Sequence, residues 1–251
     1  MGMCRMLAVI GNPPITEDLV LRFRCLSIHG NVKRGAKPGH EDGWGIASYR
    51  NGSPKYLGRS TEPAWRDPRY EAACGEITSA DRITLVHLRK ASSGSKSPEN
   101  TQPLVSGKWS LGHNGTIYSP SFSRSNHRSD SMILLERLVK AIEGRENSPQ
   151  IESTIADGVK RIRQAIQNNP SAEGRTYSSL TFMLSDGESV YVLRDYEADE
   201  DRDYYTMFYC NVSGGVIFCQ ERIWNASWKS LENKQLALVN RDGTIVLKSC
   251  Q

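Results

Sequence analysis

The chain has 251 residues, 38% of them hydrophobic and 24% charged, with a formal net charge of +4. That length can bury a sizeable core, and the composition is ordinary for a globular protein. No basic run is dense enough for nucleic acid, no apolar stretch nears the ~18 residues of a membrane span, and no signal-peptide pattern opens the chain, which excludes those three classes.

The six cysteines are Cys4, Cys25, Cys74, Cys210, Cys219 and Cys250, and no two form a Cys-x-x-Cys pair. The five histidines (His29, His40, His87, His113, His127) do not flank them at zinc-site spacing, so no metal is called for. Unclustered cysteines in a chain of this length point to a reducing, cytoplasmic compartment. By residue type they are core residues unless a special role is argued.

Taken in order, residues 4–10 read as a short buried strand ended by Gly11-Asn12-Pro13-Pro14. Cys4, at its start, admits two readings. It is a small buried residue, or it is a nucleophile whose base is its own α-amino group, which titrates near pKa ~8. The second reading requires Met1, Gly2 and Met3 to be removed. Thr16 is placed to cap a helix from Glu17, with Leu19, Phe23 and Leu26 at helical spacing and His29-Gly30 as its close. Lys33 to His40 is a basic, glycine-containing loop, not a phosphate cradle, because no phosphate-loop lysine or helix follows. Ile46-Ala47-Ser48-Tyr49 reads as a strand, turned by Asn51-Gly52 into Lys55-Tyr56-Leu57. His40 and Trp44 are expected as scaffold beneath the loop.

A helix near the end of residues 65–80 is limited by Pro63 and Pro68, and residues 83–89 form a strand buried on both faces. Residues 109–117 read as a strand, a tight polar turn at His113-Asn114-Gly115, and an exit. After a serine-rich loop, Ser129-Asp130-Ser131 leads a helix ending at Gly144. In a second helix Ile151, Ile155, Val159, Ile162 and Ile166 form the core stripe, with Lys160, Arg161 and Arg163 on the wet side. The remainder is strand-rich: hairpins over 179–194, 204–220 and 235–247. The expected architecture is a single α+β domain over 1–251 with layered sheets.

Four polar clusters sit at strand ends or in adjacent loops: Cys4, His87-x-Arg89, His113-Asn114-Gly115 and Ser129-Asp130-Ser131. A guanidinium clamps a carboxylate, an aspartate accepts from an ammonium, and an Asn side chain beside a glycine N–H makes a two-donor oxyanion hole. Such a set suits an α-amino acid whose side-chain carbonyl is attacked by a thiol. Each element also has a plain structural explanation: a turn, a surface ion pair, a helix cap. His87 and His113 are read as buried hydrogen-bonding residues that shape the site, not as proton carriers.

With Glu41-Asp42-Gly43-Trp44-Gly45-Ile46-Ala47, His87-Leu88-Arg89-Lys90-Ala91-Ser92 and Asn100-Thr101-Gln102-Pro103 added, these clusters occur in an order that resembles the class II glutamine amidotransferases. The similarity is to their stand-alone members, a group that includes γ-glutamyl amidohydrolases. It implies a four-layer αββα N-terminal-nucleophile hydrolase sandwich with two antiparallel sheets and no cofactor. It also implies Cys4 as nucleophile, Asn114 and Gly115 as oxyanion donors, and Arg89, Asp130 and His113 as substrate-binding residues. The implied reaction is hydrolysis of glutamine or a γ-glutamyl amide through a thioester on Cys4. A synthase partner receiving ammonia, and a non-catalytic amino-acid-binding protein, remain as alternatives. The family nucleophile usually follows the initiator Met, whereas Gly2 and Met3 intervene here. Either a short leader is removed autocatalytically, or Met3 is the biological start.

Overall fold

The structure, a computed structural model, describes residues 4–11, 13–91, 95–123, 128–145, 148 and 150–251. Residues 1–3, Asn12 of the first breaker, Ser92 with its two following neighbours, and 124–127 of the serine-rich loop lie outside the described residues. The first half contains β1 (Arg5–Gly11), α1 (Thr16–Phe23), α2 (Leu26–His29), β2 (Trp44–Arg50), β3 (Ser53–Ser60), α3 (Pro68–Gly75), β4 (Ile83–Leu88), β5 (Leu104–Ser106) and β6 (Trp109–Asn114). Then come α4 (Asp130–Ile142), α5 (Ile151–Gln167), β7 (Thr181–Ser185), β8 (Ser189–Arg194), β9 (Phe208–Val212), β10 (Gly215–Cys219), β11 (Lys229–Ser230), β12 (Gln235–Asn240) and β13 (Ile245–Ser249).

The strands form a seven-stranded sheet, β11-β9-β10-β1-β4-β2-β3, and a six-stranded sheet, β13-β12-β8-β7-β6-β5. Side-chain alternation decides what each face meets. In β1, Met6, Ala8 and Ile10 pack with Met183, Val192 and Ala237 of the other sheet. Leu7 and Val9 point the opposite way, onto Leu19 and Phe23 of α1 and Tyr70 and Cys74 of α3. In β6, Trp109 and Leu111 pack against Leu134 and Leu138 of α4 and Ile155 and Val159 of α5. Four layers result, helices on sheet on sheet on helices. This is the α+β sandwich with two antiparallel sheets that the motif order implies. A strand buried on both faces reads as a continuous apolar run, which is why β1 and β4 show little alternation.

Several local expectations hold. Asn51 and Gly52 both have positive φ, 57° and 78°, as the tight hairpin turn between β2 and β3 requires. Pro68 occupies the first turn of α3, where its missing N–H costs nothing, and Asp67 caps it by accepting from Arg69 N–H.

Others are corrected. Thr16 does not cap α1; it is the first helical residue, and its hydroxyl donates to Pro13 O at 2.7 Å. The helix drawn through Leu26 is two pieces, with α2 a separate turn. His113 and Asn114 belong to β6 and not to a turn. Residues 204–207 precede β9 instead of extending it, yet Tyr204 and Tyr205 are buried. Cys25 is exposed, not a core residue. Arg163 is buried instead of facing water. Its Nε and Nη2 donate to Asp195 Oδ2 at 3.0 and 2.6 Å and its Nη1 to Cys250 O at 2.5 Å, so it ties α5 to the end of β8. Its position adjoining the Ile162–Ile166 stripe makes burial affordable only because Asp195, itself wholly enclosed, neutralises it.

Tyr177 also donates to Asp195, at 3.2 Å. Asp195→Ala therefore leaves a buried guanidinium without its counter-charge. Urea unfolding should register a loss of about 3–5 kcal/mol, the usual cost of breaking a buried pair from one side.

Candidate active site

β1 and β4 pair with Arg5 opposite Leu88 and Met6 opposite His87. One further step of that register sets Cys4 beside Arg89, where both strands end. Parity gives Cys4 the inter-sheet face, along with Met6. From the facing sheet β6 carries Asn114 to the same end, and Asn114 bridges the gap. Cys4 N–H donates to Asn114 Oδ1 at 3.0 Å, and Asn114 Nδ2 donates back to Cys4 O at 3.0 Å.

A narrow pocket with a cavity volume of about 20 Å³ opens on the other side of Cys4, walled in part by Cys4, Arg89, His113, Gly115, Asp130 and Ser131. Five of the six residues singled out in the sequence thus share one cavity wall. Asn114 is the exception: fully buried, it stands behind Cys4 and off the pocket surface. Both of its amide hydrogens are engaged, the second by Gln220 Oε1 at 3.2 Å. The open donor expected of an oxyanion hole is therefore closed in this state. Gly115 N–H has no hydrogen-bond partner among the described residues. Any side chain at Gly115 would place its Cβ 1.9 Å from Ser179 O, so only glycine lets these two main chains approach.

Arg89 Nη2 donates to Ser95 O at 3.1 Å, and its main chain is strapped at both ends. Arg89 N–H donates to Gly43 O at 2.8 Å, and Asp42 N–H donates to Arg89 O at 2.9 Å. Asp42 then accepts from Ala91 N–H at 2.9 Å. The Asp42-Gly43 motif is thus a brace for the Arg89 strand end. Asp130 opens α4, and Ser129 holds the cap position with no side-chain cap bond. The Asp130 carboxylate accepts from Ile117 N–H, in the segment after β6, at 2.7 Å and from Ser131 N–H, a helix-start donor, at 2.9 Å, so one side chain ties the two segments together at the pocket.

His113 is locked by its own chain. Its Nε2 faces Ser179 O at 3.2 Å, and a carbonyl accepts only, so Nε2 carries the proton. Nδ1 is then the acceptor for Ser131 Oγ at 2.8 Å, while Gln102 Nε2 donates to that same hydroxyl at 3.2 Å. Burial holds its pKa below the ordinary histidine value. His87 and His40 are pushed down to about 3, mainly by burial, and the positive charges of Arg89 and Arg5 respectively add to it. All three imidazoles are neutral at pH 7. His87 is buried as expected, but among the described residues neither ring nitrogen has a partner at hydrogen-bond geometry. The scaffold role of Trp44 is visible in its indole N–H, which donates to Asp67 at 3.1 Å.

Burial pushes the Cys4 thiol up to about 11, against smaller downward pulls from the Lys90 main chain, Arg89 and Arg5. As enclosed here the thiol is protonated at neutral pH and needs a base.

Residues 3–207 match the family described as glutamine amidotransferases class-II. The chain belongs to that family. An uncharacterized protein of Methanocaldococcus jannaschii is 26% identical over 274 aligned positions, covering 97% of this chain and 71% of that one. Among solved structures, a glutamine aminotransferase class-II domain protein from Silicibacter pomeroyi superposes with a TM-score of 0.63 at 18% identity, covering 99% of this chain and all of that one (100%). Glutamine phosphoribosylpyrophosphate amidotransferase from B. subtilis gives 0.62 at 13% identity, over 99% of this chain and 49% of that protein. At these identities the superpositions carry the fold, and family membership carries action on a glutamine amide in general terms.

In this class-II glutamine amidotransferase, three residues around Cys4 were not singled out in the sequence. Arg5 and Tyr204 hold the Cys4 carbonyl, and Gln220 holds the Asn114 side chain behind it. Arg5 was visible as the one charge in an apolar strand, and Gln220 as the polar end of another; Tyr204 gave no signal.

With residues 1–3 attached, Cys4 N is an amide and supplies no base. Iodoacetamide labelling of Cys4 in that form, read by peptide mass, should be negligible at pH 7 and climb only as pH approaches 11. A thiol raised to about 11 is roughly 1 part in 10⁴ thiolate at neutral pH, against about 3 parts in 100 for an ordinary cysteine.

Proposed function

We propose that the protein hydrolyses the side-chain amide of glutamine, or of a γ-glutamyl amide, through a γ-glutamyl thioester on Cys4. The observation that carries this reading is the single cavity on which Cys4, Arg89, Gly115 and Asp130 converge. Its lining carries groups of opposite charge, Arg89 and Asp130. Arg89 takes the α-carboxylate, Asp130 the α-ammonium, and the γ-carbonyl is left facing the thiol. His113, with both nitrogens engaged, forms a fixed wall.

Cleavage of the Met3–Cys4 bond converts the Cys4 amide to an amine. The amine accepts the thiol proton through a water as sulfur attacks the carbonyl carbon of the side-chain amide. The oxyanion is held by Gly115 N–H and by Asn114 Nδ2, which turns one of its two engaged hydrogens toward the new charge. Collapse breaks the C–N bond, the ammonium returns its proton to the leaving nitrogen, and ammonia or an amine departs. Water, activated by the same amine, then attacks the thioester, releasing glutamate and restoring the thiol.

Glutamate release from glutamine and from γ-glutamyl peptides tests this, using mass-verified protein that begins at Cys4. Cys4→Ala should abolish release; equal rates in the two proteins would refute the reading. Asn114→Ala should lower kcat by about 10²–10³-fold, the usual cost of an oxyanion donor. Arg89→Lys keeps the charge but loses the fork, and should raise KM by about 10-fold or more, since a charge-assisted hydrogen bond is worth ~1.5–3 kcal/mol.

A further inference from the structure

The carbonyl of Cys4 accepts three hydrogen bonds, an unusual number for one main-chain oxygen. Arg5 Nη1 donates at 2.9 Å, Asn114 Nδ2 at 3.0 Å and Tyr204 OH at 3.3 Å. The Arg5 guanidinium also lies over the Tyr204 ring, 4.3 Å from its centroid. Arg5 is fully buried, and its remaining nitrogens are spent on Glu221 Oε1 and Asn31 O, so it has no freedom to swing away. Asn31 N–H closes the circuit on Glu221 Oε1 at 2.7 Å. None of these groups reaches the substrate cavity.

A nucleophile at a chain end has no preceding peptide plane to fix it. Rotation about its Cα–C bond swings amine and side chain together relative to the cavity, while χ1 sets the distance between them. Arg5 and Tyr204 hold the peptide plane that follows Cys4, and Asn114, bonded to both Cys4 N–H and Cys4 O, then fixes ψ and with it where the amine and the side chain point.

We propose that Arg5 and Tyr204 are positioning residues that clamp the Cys4 carbonyl so that, with Asn114 on the nitrogen, the terminal amine and the thiol keep their orientation toward the cavity, and that the Arg5 charge keeps this amine unprotonated at neutral pH. The inference rests on the Cys4 reading above. The charge argument is Coulombic: a cation less than one residue's length away disfavours a second cation. Arg89 adds to it from β4. Asp130 and, beyond Arg5, Glu221 oppose it, and the Tyr204 phenol, His87 and His113 are neutral. Among the described residues, Arg5 is the one cation whose side chain bonds the Cys4 main chain.

The test uses protein beginning at Cys4 and three variants: Tyr204→Phe, Arg5→Lys and Arg5→Gln. Tyr204→Phe removes one hydroxyl and leaves the ring. It should lower kcat for glutamine by about 10-fold, the worth of ~1.4 kcal/mol of hydrogen bonding, with KM within about twofold. Arg5→Gln should move the acidic limb of kcat/KM up by about one pH unit, the displacement expected on removing a neighbouring charge, while Arg5→Lys holds the limb in place. The rate of Cys4 alkylation against pH should shift in the same sense. That measurement needs no substrate, so it separates the two ideas: absence of glutamate release in wild type sinks the glutamine reading alone. Wild-type alkylation profiles in Arg5→Gln overturn the charge role. An unchanged kcat, or a raised KM at constant kcat, in Tyr204→Phe overturns the clamp. Should Arg5→Gln fail to fold, the Tyr204→Phe split and the Arg5→Lys profile decide.

Discussion

Two hydrogen bonds of 3.0 Å between Cys4 and Asn114 join the sheets at the point where the chemistry is placed. One residue comes from β1's leading end and the other from the last position of β6, so the bond pair fixes the sheets' relative height as well as the thiol. Everything around it follows from strand register. Arg89 lies beside Cys4 because β4 runs antiparallel to β1, and Gly115 follows Asn114 out of its strand. A reciprocal side-chain-to-backbone pair of this kind resists sliding, since a slip of one residue would strand two buried polar groups.

The electrostatics of the site come from two opposed effects. Burial raises the thiol and suppresses the imidazoles, which by itself would make the region inert. Fixed charges at Arg5, Arg89 and Asp130 restore selectivity for where charge can sit. The histidines that a chemist first notices are the least able to move protons, because each is enclosed and two face guanidinium groups. In the proposed reaction, proton traffic falls to a group that exists only at a chain terminus.

Much of this was legible in the sequence, and the reason is that the motifs are contiguous pieces of strand ends. Cys4, Arg89 and His113-Asn114-Gly115 each sit where an apolar run stops, which marks them as polar groups delivered by buried strands. The Asp42-Gly43 and Gln102 motifs were legible as motifs, but their work is bracing: Asp42 holds the Arg89 loop, and Gln102 accepts from His113 N–H at 2.6 Å. What could not be read was any pairing across large sequence separation. Arg163 looked like a wet-face charge because nothing local announces Asp195, and Tyr204 looked like the start of a strand because its partner is Cys4, 200 positions away. Periodicity reports a residue's face and says nothing of the one polar atom waiting opposite.

The ladder of β1 begins at Arg5, while Cys4 is held on both its N–H and its C=O by side chains. A cut between Met3 and Cys4 therefore severs a covalent bond without unzipping any rung of the sheet. The nitrogen changes from one donor hydrogen to several, and Asn114 Oδ1 can go on accepting one of them. The terminus can be remade chemically while the architecture around it stays where it was.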